Sequence, residues 1–85
     1  MITEGALVEV TWEDAYATIV TERTAQEVSE MHEPALMRTV GYLVFDDKRG
    51  IMTSMTTFNS LQDEKLYNDF HFVPRGMVKK VRRVK

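Results

Sequence analysis

The chain contains no cysteine. That excludes a disulfide framework, a thiolate metal site and a thiol nucleophile. It is compatible with a reducing compartment. No apolar run approaches the roughly 20 residues of a membrane-spanning helix. The opening residues Met1 to Gly5 lack the basic and apolar regions of a signal peptide, so a cytoplasmic location is expected. Proline occurs twice and glycine four times, which leaves few punctuation points along the chain. The two histidines, His32 and His71, sit in no ligand-spaced cluster, so neither a metal nor a cofactor is expected. Ser54 and Ser60 carry no nucleophile signature. Asp46 and Asp47 are adjacent on a strand, where side chains point apart, which spoils paired-carboxylate chemistry. An enzyme is therefore not expected.

What is present is short and unevenly charged. The 85 residues make a single domain, 1–85. A chain of this length buries only about 60–65% of its unfolded surface, and oligomerisation is a common supplement. The formal charge of −2 hides an asymmetry. Arg75, Lys79, Lys80, Arg82, Arg83 and Lys85 give the final segment +6 with no acid, leaving −8 for residues 1–74. This is either local balance within a monomer, a basic edge set against an acidic one between copies, or a contact for a polyanion.

The stretch Thr39 to Asp47 organises the chain. Val40, Tyr42 and Val44 alternate with Gly41, Leu43 and Phe45, so both faces carry apolar groups, as in a central, bent strand with Gly41 at the bend. Lys48-Arg49-Gly50 turns the chain back into a second run, Gly50 to Phe58, as an antiparallel hairpin. Before them, Ala6 to Trp12 alternates as a one-faced strand. Ala15 to Val20 reads either as an extended segment or as the start of a helix. Thr24 and Glu27 form a capping-box pattern ahead of a short helix from Ala25 to His32, ended by Pro34. That helix is too short to stand alone and should lie against the sheet or a neighbouring subunit.

Asn59 to Asn68 reads as a polar loop. Asp69 to Val73 reads as a short strand with His71 facing out between buried Phe70 and Phe72. Pro74-Arg75-Gly76 is a tight turn. In Met77 to Val84, valines recur every third residue, which suits a bulged strand or, alternatively, a C-terminal helix. Trp12, Tyr42, Phe45 and Phe58 are expected in the core. The sum is a mainly β fold: a five-stranded, strongly bent antiparallel small barrel with a short helical insertion, at about 13–38, between strands 1 and 2.

Two motifs point to a family. Gly41-x-Leu43-x-x-x-Asp47 resembles the first motif of the Sm-like RNA-binding proteins, and Val73-Pro74-Arg75-Gly76-Met77-Val78 resembles their second. The chain is also similar to small phage-encoded Sm-like proteins of uncertain function. The resemblance implies a five-stranded barrel and a homo-oligomeric ring, the fourth strand of one subunit pairing with the fifth of the next. It implies RNA or nucleotide-like anions as ligands, held by Asp47, Lys48, Arg49, Arg75 and Gly76. The sequence departs from the family where a base-reading asparagine is usual, since Ile51 has no polar head. Arg49 stands where a base-stacking side chain is usual, and a guanidinium can stack.

Each of these residues also has a plainer reading. Arg75 would pair with an acid such as Asp47 to hold the fold shut, and the basic final strand would be an edge protected by charge. Two further functional readings remain: a structural or protein-interaction module docking on a virion or host protein, and a small-molecule sponge for a nucleotide signal.

Overall fold

The computed structural model describes residues 2–14, 22–31 and 35–84. Five strands pair antiparallel in one sheet: β1 (Leu7–Asp14), β2 (Ala35–Asp47), β3 (Gly50–Asn59), β4 (Lys65–Pro74) and β5 (Val78–Arg83). Their order is β4-β3-β2-β1-β5. One helix, α1 (Ala25–Met31), lies between β1 and β2, and a 3-10 turn, Arg75–Met77, links β4 to β5. No helix among the described residues is long and apolar enough to cross a membrane.

The sheet is mainly β as expected, but it does not close into a barrel. β4 and β5 stand at opposite edges and make no ladder with each other. The chain is correspondingly extended, 61 × 23 × 23 Å, with a radius of gyration of 17.2 Å. A compact chain of this length would have about 12 Å.

The reason lies in where apolar groups find partners. Val8, Val10, Leu43, Ile51 and Val73 form a small buried core, with Ile2, Trp12, Met77, Val78 and Val81 packed at its margin. All of these belong to one end of the sheet. Gly50 is needed there: its φ is +150°, and a Cβ would come within 2.1 Å of the Val73 carbonyl. Gly41 allows β2 to press on β3, since its Cβ would lie 2.8 Å from the Ser54 carbonyl.

Burial ends abruptly at Ser54. Its hydroxyl accepts the Asn68 N–H at 3.0 Å and donates towards the Thr56 carbonyl at 2.6 Å. Beyond it the β3–β4 hairpin continues as a ladder from Thr56–Asn68 to Asn59–Lys65 with no buried residue. The expected polar loop 59–68 is thus mostly hairpin. Only Ser60 to Glu64 turns, held by Ser60 Oγ, which accepts the Gln62 and Glu64 N–H groups. Asp63 adopts φ +62°, a conformation Asp tolerates.

The other expectations resolve individually. The capping box forms: the Glu27 N–H donates to Thr24 Oγ1 at 3.2 Å and the Thr24 N–H to Glu27 Oε1 at 3.4 Å. Yet α1 buries nothing, and Val28 and Met31 face solvent. The helix therefore does not lie against the sheet. The readings of Ala15–Val20, His32 and Pro34 fall outside the described residues. The C-terminal segment is a strand, and its period of three has a cause. Val10 pairs with Val81 and Thr11 with Lys80, but Trp12 pairs with Val78. The register shift passes over Lys79 and returns both valines to the core face.

Candidate functional site

The two loops that carry the suggested site meet at one end of the sheet. The Arg75 N–H donates to the Arg49 carbonyl at 3.1 Å, which locks the β2–β3 turn against the β4–β5 connection. Asp47, Lys48, Arg49, Arg75 and Gly76 are therefore neighbours in space.

The two arginines, however, already hold acids. Arg49 clasps Asp47 through Nε and Nη2, the latter at 2.6 Å from Oδ2, and its backbone N–H donates to Asp47 Oδ1 at 2.8 Å. Its guanidinium also lies 4.3 Å above the Phe45 ring centroid, a cation–π geometry. This donation from Arg49 holds the Asp47 carboxyl at about 2, well below its ordinary value. Arg75 reaches across to the Asp46 carboxylate and donates to the Asp47 carbonyl at 3.1 Å and the Gly50 carbonyl at 3.3 Å. Arg75 is thus a clamp between the loops. Asp46 supplies its carboxylate partner and Asp47 only a main-chain oxygen. A Cβ at Gly76 would meet nothing, so packing does not require glycine there. Lys48 is exposed and has no hydrogen-bonded or ionic partner among the described residues.

The basic ending is divided in the same way. Lys79 pairs with Glu13 at 3.0 Å and Arg82 with Glu9 at 2.9 Å. The Arg82 hydrogen bond lowers the Glu9 pKa, with further help from Arg38 and Lys80. Lys80 is in no hydrogen bond or salt bridge among the described residues but acts on Glu9 through space, and Arg83 keeps no partner among those residues. No group of three His, Asp or Glu side chains among those residues is placed to hold a metal.

Sequence reasoning missed the other face of the sheet. Phe70 and Phe72 are exposed at 59% and 41%, while His71 lies inside, its ring 5.4 Å from that of Trp12. The inversion follows from register. Val73 pairs with Ile51 and His71 with Thr53 on the core face, so Phe70 and Phe72 must point away. Trp12 belongs to the core margin and donates from Nε1 to Thr39 Oγ1 at 2.9 Å. Tyr42 and Phe45 are half-buried on the outer face, and Phe58 is exposed. The signal available was the parity of Val73, which two phenylalanines outweighed. The chain matches no family model, no curated protein and no solved structure.

Proposed function

We propose that this chain is a non-enzymatic, Sm-like subunit that assembles into a ring through its sheet edges and binds RNA or a nucleotide-like anion. The observation that carries the reading is the pair of open edges. β4 and β5 are the outermost strands, the two that the Sm-like resemblance pairs between neighbouring subunits. An open ladder of backbone donors and acceptors favours strand addition. The charges suit it: β5 offers Lys80 and Arg83, outside the salt bridges of Lys79 and Arg82, and β4 offers Asp69. Pairing between copies would also complete the closure that one chain lacks.

In this reading the anion meets Lys48 and Arg49 at the loop end, with Arg75 holding the loops in place. Arg49 would exchange Asp47 for the ligand. The double variant Lys48→Ala/Arg49→Ala removes exposed charge without touching the Arg75 clamp. The ring mass should persist in native mass spectrometry while affinity for a labelled single-stranded oligonucleotide falls. Unchanged affinity with an intact ring would remove the loop from the binding site. The protein-docking alternative draws on one observation: Leu61, fully exposed at the tip of the projecting hairpin, with Met55 and Phe58 bare behind it.

A further inference from the structure

The outer face of the sheet carries a pattern that the loop site does not use. Directly paired residues share a face, so the register lays that face out in rows. Phe45, Met52 and Phe72 form one row. Leu7, Tyr42, Ser54 and Phe70 form the next. Val40, Glu9 and Arg82 follow, then Arg38, Thr11 and Lys80. Aromatic rings thus occupy one part of a continuous face and cations the other. Two acids, Glu9 and Glu13, also lie on it, but Arg82 and Lys79 hold them. Arg38 and Lys80 stand opposite Thr11 on the two neighbouring strands. Neither is in a hydrogen bond or salt bridge among the described residues, and both lie near enough to Glu9 to help lower its pKa. Neighbouring strands are about 4.8 Å apart, which sets the backbones of these two residues roughly 10 Å apart across β1.

We infer that this outer face binds single-stranded nucleic acid, with bases stacking on Phe70, Phe72 and Tyr42 and phosphates meeting Arg38 and Lys80. Exposed rings with cations further along the same face suit a ligand that has both flat π-faces and a charged backbone. Phe70 and Phe72 are two residues apart on one strand, about 7 Å, so they offer successive platforms. Phe72 is steadied by Phe45, whose ring centroid is 6.1 Å away. An apolar protein partner would not need the cations, and a purely electrostatic contact would leave the rings bare.

The inference rests on the nucleic-acid reading above but assigns it to different residues, so the two can fail separately. The test is fluorescence anisotropy of a labelled oligo(U) RNA of about ten nucleotides, with oligomer mass measured in parallel. Phe70→Ala and Phe70→Leu should each weaken binding about ten-fold, and Phe70→Tyr should retain it, because stacking needs a ring. Arg38→Ala/Lys80→Ala should lower the logarithmic salt slope by about 1.4, at about 0.7 per phosphate contact. Full affinity in Phe70→Leu would overturn the inference. If the Lys48→Ala/Arg49→Ala variant lost affinity at the same time, the loop reading would stand alone. A Phe70→Ala variant that changed oligomer mass and left RNA affinity intact would assign the face to a second copy instead. No binding by the unaltered protein would end both readings.

Discussion

β3 and β4 run through two different environments. From Gly50 to Ser54, opposite Phe70 to Pro74, they carry Ile51 and Val73 into the core and also bury Thr53 and Ser54. From Met55 to Asn59, opposite Lys65 to Asp69, the same strands hold no fully buried residue, only the half-buried pair Thr57 and Tyr67. Backbone pairing continues in both halves. Apolar burial, at about 25 cal/mol per Å², does not. Ladder hydrogen bonds alone contribute little net free energy, because water offers the same bonds to the unfolded chain. Stability is therefore concentrated at the loop end, and the projecting half leaves most of its surface exposed.

Substitutions in the two halves should separate sharply. The largest effect belongs to Gly50→Ala, where the backbone conformation and the clash with the Val73 carbonyl both resist a side chain. A loss of about 3 kcal/mol or more is expected in urea unfolding. Ile51→Ala should cost about 2–5 kcal/mol by leaving a cavity. Met55→Ala, four residues along the same strand, should stay within about 0.5 kcal/mol. Equal costs at Ile51 and Met55 would mean that burial does not separate the two halves. Arg75→Ala should cost about 1–2 kcal/mol, since its charged hydrogen bonds tie the loops together but are half-exposed.

The smallest effect is one of pH. Asp47 is held at about 2 in the folded chain by Arg49, against an ordinary 3.8. Its folded pKa is the lower one, so the pair's contribution is fully present above 3.8 and is lost as pH falls through about 2. An NMR titration of the Asp47 carboxyl should show that midpoint. In Arg49→Ala the midpoint should rise towards the ordinary value.

These two halves were not equally legible in the sequence. The loop end announced itself because alternation, glycine placement and β-branching agreed there, as in Val8-x-Val10-x-Trp12 and Gly41 to Asp47. The projecting half was read as loop because Asn59 to Asn68 lacks apolar alternation. A strand with no fully buried face has little reason to alternate. Faces were harder than strands. Assigning Phe70 and Phe72 to the core followed local hydrophobicity, whereas the Val73–Ile51 pair sets the parity of the whole strand. The valine period near the C-terminus became interpretable only through the register shift at Trp12, a feature of two strands together. At the site, the proximity of Arg49 and Arg75 was legible from the motifs. Their partners were not, because Asp46 and Asp47 are equivalent in sequence and only the turn geometry gives each arginine its own.

In the proposed assembly, further copies complete the open edges of this sheet and the whole carries an anionic polymer. Native mass spectrometry of the protein as purified from cells, with no ligand added, reads subunit number and retained mass together. A closed oligomer carrying nucleotide or RNA mass is expected. A bare monomer would contradict this assembly.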